Sequence, residues 1–430
     1  MKITYLVPGS GGTFFCGNCY RDKLLISSLK SMEGIDVSAI PLYLLPNTGN
    51  FGNDFESQVF FGAVSLFLRE KVSLFRNMPV FLDKLLDSPP VLKFAARQAG
   101  TTSTEGLEET TLGMIKGDSQ FSKNEISRLA KHITETGKSD IIHLSNALII
   151  GLASQLKESL NIPVLCSLQN EDDWIDVMAE PYRSQAWQLI GEKAKNITAF
   201  ITPSNYYKEL ILNRTGIDNK KIHVIPSGVE INNSPIRDKS TRAPSLGFFS
   251  RLSRSNGFDK LIDAFLLIKK NGKIPDLRLH LCGGYTNYDK PFVKEQLKKI
   301  KKSRIQEDVI VYSEFTGRQK QEFFNNINVM SVPVNKPDAY GLYLLESIVA
   351  GVPVVQPATG AFPEIIGITG GGITYQPDTV EKLAEALEEL LLNTGKQKEL
   401  GEKGREAVFE KLTVTEMTKK VVEVYRNSIS

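Results

Sequence analysis

Short apolar runs alternate with helix-period segments along almost the whole chain. Residues 3–7, 37–40, 141–144, 164–168, 199–202 and 223–226 are β-favouring runs bounded by polar residues, glycine or proline, the pattern of strands buried on both faces. Between them lie segments such as 23–30 and 147–160, whose apolar positions recur at helical spacing. This rhythm predicts parallel strands covered by helices. From Asn232 to Ser245 the periodicity stops in a polar stretch with two prolines, Pro235 and Pro244, which reads as a linker. The rhythm then restarts, with strands expected at 246–249, 278–282, 309–311, 329–332 and 352–356. The expected fold class is α/β, with one unit over residues 1–232 and a second over 246–412. In the terminal segment 413–430, Met417, Val421, Val424 and Tyr425 share one helical face, so that segment must dock on something.

Residues 55–122 break the rhythm with long Phe/Leu-rich helical patterns. The plain reading is a helical insertion covering the first sheet. The sharper one is a wall of an acceptor site or a membrane-docking surface, because cationic residues interleave with aromatics. The run from Lys294 to Arg304 spaces Val293, Leu297 and Ile300 for a core face and turns its lysines to water; contact with an anionic membrane or polymer is the alternative.

Composition narrows the picture. The 430 residues carry 52 Lys+Arg against 49 Asp+Glu, a net charge of +3, with 41% hydrophobic and 23% charged residues. That is a globular composition, which excludes wholesale disorder and supplies no basic face for nucleic acid. Four cysteines are too few for a disulfide framework. Cys16 and Cys19 form a single C-x-x-C without a second pair or clustered histidines, so small buried side chains are preferred over a zinc site. The first residues have too short an apolar run for a signal peptide, and no stretch has the length of a membrane span. The expectation is a cytoplasmic protein, with peripheral contact at the inner membrane face left open.

The strongest chemical signal runs from Pro337 to Gln356. It predicts a helix over 342–350 with Gly351 at its end and a buried strand after it. Asp338 precedes the helix, where a carboxylate caps exposed N–H groups. The backbone N–H groups of Gly341, Leu342 and Tyr343 would form an anion site for a phosphate. Glu346, a turn deeper among apolar neighbours, needs partners and is suited to accept hydrogen bonds from a ribose diol. Gly11 and Gly12 follow the first strand, where the backbone can approach a ligand closely. The dinucleotide fingerprint is absent, which argues against a nicotinamide oxidoreductase.

Asp338 and Glu346, with the Gly-Leu between them and Ala-Gly-Val-Pro-Val-Val after them, resemble the acidic-x7-Glu signature of family 4 retaining glycosyltransferases. The likeness extends to Gly9-Ser10-Gly11-Gly12, Val224-Ile225-Pro226-Ser227-Gly228-Val229, Phe249-Ser250-Arg251-Leu252 and Thr359-Gly360-Ala361-Phe362-Pro363-Glu364. The Cys-Gly-Asn-Cys-Tyr-Arg-Asp segment, the Phe/Leu-rich insertion and Val354-Val355-Gln356-Pro357 resemble an uncharacterised bacterial subgroup.

The resemblance implies a GT-B architecture, two Rossmann-like domains facing across a cleft, with the last helix crossing back to the first. It implies a nucleotide-sugar donor bound mainly by the second domain and an acceptor on the first. Glu346 would hold the ribose, Asp338 the donor sugar, and Arg251 the diphosphate, whose growing negative charge suits a planar guanidinium. Asn256 stands where a lysine is usual, with Arg254 nearby in sequence, and Asn256→Lys is expected to raise turnover. His143 matches a donor-sugar contact, although a lone histidine on an apolar strand also suits the core. Gln169, Asn170 and Glu171 follow a strand end and are candidate acceptor contacts. No metal or other cofactor is expected. The function expected is retaining transfer of a hexose to an unidentified hydroxyl of a saccharide, lipid or small metabolite. A catalytically silent nucleotide-sugar binding module is the alternative, for which Asn256 speaks.

Overall fold

The computed structural model describes residues 1–9, 15–43, 55–56, 59–61, 106–231 and 243–429. Gly11, Gly12, most of the expected helical insertion and most of the linker lie outside the described residues. The chain divides into two compact units. One comprises Met1–Gly12, Arg21–Pro226 and Met417–Ser430, and the other Thr13–Tyr20 and Ser227–Glu416.

The N-terminal unit is built on six strands: β1 (Lys2–Val7), β2 (Asp36–Pro41), β3 (Ile141–Leu144), β4 (Val164–Ser167), β5 (Ala199–Thr202) and β6 (Ile222–Val224). They pair in parallel in the order β2-β1-β3-β4-β5-β6. Every residue of β3, β4 and β5 is buried, which is why these strands read as unbroken apolar runs. The helical stretch expected at 147–160 is interrupted. A 3-10 turn, Ala147–Ile149, precedes the helix Leu152–Leu160. At Gly151 between them a Cβ would meet the Met114 carbonyl oxygen at 2.2 Å, so close backbone packing there leaves room only for glycine.

The C-terminal unit repeats the plan with β7 (Ser245–Phe249), β8 (Arg278–Cys282), β9 (Val309–Tyr312), β10 (Val329–Met330), β11 (Val354–Pro357) and β12 (Gly372–Tyr375). Their order, β12-β11-β10-β7-β8-β9, is that of a dinucleotide-type sheet, with strand order reversing between β7 and β10. Phe248, Phe249, Phe258, Phe265, Phe323 and Phe362 are fully buried around it. β12 was not legible in the pattern, because its glycine start and exposed Thr374 hide the strand that pairing with β11 creates. The basic helix Lys290–Lys302 buries Val293, Gln296 and Ile300, whereas Leu297 is 37% exposed. Gln296, not Leu297, therefore completes the inner face. Among the described residues no helix is long and apolar enough to cross a membrane.

Candidate active site

In open α/β sheets, ligands bind beyond the carboxyl ends of the strands, where strand order reverses. In the C-terminal unit that point lies between β7 and β10. The chain leaving β7 is held by hydrogen bonds from Ser250 N to the Cys282 carbonyl (3.1 Å) and from Leu252 N to the Gly284 carbonyl (2.8 Å). Arg251 stands between them. Its guanidinium donates from Nε to Asp289 Oδ2 at 2.7 Å and from Nη2 to Asp289 Oδ1 at 3.0 Å, a bidentate grip that fixes the plane of the group. Thr286 donates from its backbone N and its hydroxyl to Asp289 Oδ2, so the acceptor is itself held in place.

Asn256 carries no charge to this loop but ties it down. Its Nδ2 donates to Ser250 Oγ and to the Arg251 carbonyl, both at 3.0 Å. Arg254 points elsewhere: it lies 4.9 Å over the Phe292 ring and 3.5 Å from Asp259. The loop also meets the one after β10, where Asn335 N donates to the Ser255 carbonyl at 2.8 Å.

The helix Leu342–Val349 follows β10. Its cap is Gly341, with φ of +77° and no side-chain hydrogen bond. A Cβ there would lie 2.8 Å from the Phe362 ring, so both conformation and space call for glycine. Asp338 is therefore not the helix cap, as the sequence suggested. Its Oδ1 accepts from Tyr340 N at 3.0 Å and its Oδ2 from the Tyr343 hydroxyl at 3.1 Å, which shapes the approach to the helix and orients the Tyr343 ring.

Glu346 is 4% exposed. Its Oε2 pairs with Lys320 Nζ at 2.6 Å, while Oε1 is buried with no hydrogen-bond partner among the described residues. Lys320 comes from the helix Gly317–Asn326 and also lies 3.4 Å from the Tyr20 hydroxyl and 5.2 Å from the centre of that ring. Burial, with the Glu346 carboxylate adding to it, pushes the Tyr20 phenol well up. Phe15, in the same segment, is buried against Phe249 and donates its N–H to the Gly283 carbonyl at 2.8 Å. Sequence reasoning missed Lys320, Tyr20 and Asp289. Lys320 sits in an ordinary charged helix, and only its neighbour in space gives it meaning.

Cys16 and Cys19 are not the buried side chains expected. Both are half-buried at the start of the helix Gly17–Lys30, with Sγ atoms 2.7 Å apart. Among the described residues no group of three or more His, Cys, Asp or Glu could hold a metal ion.

In the N-terminal unit, His143 is fully buried. Its Nδ1 lies on the Tyr425 hydroxyl and its Nε2 on Ser167 Oγ. Burial, with Arg21 adding to it, lowers its pKa well below the ordinary value, so one ring nitrogen donates and the other accepts. Gln169 donates from Nε2 to Asp22 Oδ1 (2.9 Å) and to the Ser145 carbonyl. Glu171 accepts from Ala147 N, Gln169 N and the Tyr207 hydroxyl at 2.7–2.9 Å. Burial raises its pKa and these bonds oppose the rise. Asn170, at φ of +56°, opens the short helix Glu171–Ile175 and donates to Asp173 at 3.4 Å. The fold thus engages the side chains of Gln169 and Glu171 internally. Arg251 and Asn256, and Asp338, Gly341, Leu342, Tyr343 and Glu346, are brought to the carboxyl edge of one sheet.

Two six-stranded parallel sheets, the second in dinucleotide order, define an α/β protein of the GT-B class. Residues 230–407 match the family model described as "Glycosyl transferases group 1", and residues 108–233 the one described as "Glycosyltransferase Family 4". The two matches together support a glycosyltransferase of the family 4 type. It is 26% identical over 232 residues to alpha-maltose-1-phosphate synthase of Mycolicibacterium smegmatis, covering 49% of this chain and 58% of that one. It is 26% identical over 159 residues to mannosylfructose-phosphate synthase of Agrobacterium fabrum, covering 34% and 35%. These matches span less than two thirds of either relative. Among solved structures, sucrose-phosphate synthase from Thermosynechococcus elongatus superposes with a TM-score of 0.71 at 17% identity, covering 99% of this chain and 98% of that one. Anabaena Alr3699/HepE, solved in complex with UDP, gives 0.68 at 15% identity, covering 99% and 100%.

Proposed function

We propose that the chain transfers a hexose from a nucleotide-sugar to an acceptor hydroxyl with retention of anomeric configuration. The observation that carries this reading is Glu346: a buried carboxylate one turn below a glycine-capped helix start, held by Lys320 at one oxygen and, among the described residues, without a partner at the other. A ribose hydroxyl would complete Oε1, and the first N–H groups of the helix would face the diphosphate. Arg251, held in plane by Asp289, would meet the charge that grows on the leaving diphosphate, where one well-placed donor is worth about 2.7–4 kcal/mol. Asp338, on the same sheet edge, would serve the donor sugar. The reading calls for no metal and no cofactor beyond the donor. UDP in a structural neighbour supports the donor class, as do the synthases among the relatives.

The test is a thermal-shift panel of UDP, GDP and ADP on wild type and Glu346→Ala, followed by proton NMR of the transfer product. At least one nucleotide should stabilise the wild type and not the variant, and an α-linked donor should give an α-linked product. An equal shift in both proteins would overturn the ribose assignment, and a β-linked product the retaining mechanism.

A further inference from the structure

Arg21 is 3% exposed in the N-terminal unit, yet only Nη1 finds a hydrogen bond, donating to Ser167 Oγ at 3.1 Å. Among the described residues, Nε and Nη2 are buried with no partner. Asp22 does not supply one. Its nearest oxygen is 3.9 Å from Nη1, and that oxygen accepts from the Tyr5 hydroxyl at 2.8 Å and from Gln169 at 2.9 Å. Ser145, fully buried directly after β3, likewise has a hydroxyl without a partner.

These groups share one place. Tyr5 pairs in register with His143, Leu144 with Cys166, so Tyr5, His143, Ser145 and Ser167 stand on one face of the sheet. They lie on β1, β3 and β4, at and just inside the carboxyl edge where strand order reverses. A buried guanidinium with at least three of its five N–H donors unmet is costly, because it has given up water without replacement. The unmet part is also specific. Nε and Nη2 form the edge by which Arg251 grips Asp289, and that edge matches two oxygens of a carboxylate or phosphate.

We propose that Arg21 and Ser145 form a binding site for an oxyanion, a phosphate or carboxylate group carried by the acceptor. Arg21 would take two oxygens through Nε and Nη2, with the Ser145 hydroxyl donating to one of them. Ser167 keeps the guanidinium from turning, and Asp22 balances its charge from beyond hydrogen-bonding distance. Calling the ligand an acceptor rests on the transferase reading; the oxyanion site does not.

The experiment is calorimetric titration of inorganic phosphate and of acetate into the full chain saturated with UDP. UDP binding in the wild type tests the transferase reading separately. Phosphate, acetate or both should bind, and the preferred ion tells a phosphate-bearing acceptor from a carboxylate-bearing one. Arg21→Gln should weaken that binding by about tenfold or more, Ser145→Ala by less, and Arg21→Lys, which keeps the charge but not the paired edge, by an intermediate factor. UDP affinity should change less than twofold in all three. Ser145→Ala keeps the test decisive if Arg21→Gln does not fold. The proposal is overturned if neither ion binds the UDP-saturated wild type, if the variants bind as wild type does, or if the variants lose UDP instead.

Discussion

Replacing Lys320 with methionine keeps the length of the side chain and removes the cation from Glu346. The pair is tight, at 2.6 Å, with the two side chains 21% and 4% exposed. At an effective dielectric near 20, attraction at that distance is about 6 kcal/mol before desolvation is subtracted. Removing one member of a buried pair typically costs about 3–5 kcal/mol. With Lys320 21% exposed, solvent screening discounts that figure, so the expected loss at pH 7 is about 2–4 kcal/mol, or a 30- to 700-fold loss of protection at about 1.4 kcal/mol per decade. Both tryptophans, Trp174 and Trp187, lie in the N-terminal unit, so fluorescence would not report this change. Hydrogen exchange of the helix Leu342–Val349, compared with wild type at pH 7, reads it directly. Adding Glu346→Gln should restore most of the protection. A loss below about threefold at pH 7, or no recovery on adding Glu346→Gln, would refute the reasoning that Lys320 holds Glu346 as an ion.

Two more expectations follow from buried groups and backbone geometry. Burial pushes the Asp22 carboxyl up from 3.8 to about 6, against the pull of Arg21 and of hydrogen bonds from Tyr5 and Gln169. The folded state then binds the extra proton, so this group's contribution falls as pH rises from about 4 to 6, by about 3 kcal/mol, and is flat above. Asp22→Asn should remove that slope, read as the difference between wild-type and variant urea unfolding followed by tryptophan fluorescence. A pH-independent difference would count against it. Gly341→Ala combines a left-handed φ with a 2.8 Å clash on Phe362. It should cost about 1–3 kcal/mol and weaken nucleotide binding more than a Gly367→Ala control, where a Cβ would meet nothing within 4 Å. Equal nucleotide affinity in the two variants would show that the helix start does not face the ligand.

Much of the architecture was legible before any coordinates, because strands buried on both faces must be apolar throughout and the helices between them amphipathic. Residues 141–144, 199–202 and 278–282 were bounded correctly from pattern alone. The helix carrying Glu346 was readable from an apolar run between glycines, and a carboxylate inside that run announced a need for partners. The pattern failed at β12, whose residues form a strand because β11 offers an edge, and at 147–149, where a 3-10 turn stands in place of the first turn of the expected helix.

Sequence alone determined the βαβ order and the residues that carry charge into apolar surroundings. Only the tertiary structure decided their partners. It gave Glu346 to Lys320, Arg251 to Asp289, and His143 to Tyr425 and Ser167, and it left Nε and Nη2 of Arg21 without one among the described residues. The reason is physical. Periodicity records which face of an element meets water, a property of neighbours in sequence. Hydrogen bonds and ion pairs require a few ångströms of proximity between groups that can be hundreds of residues apart.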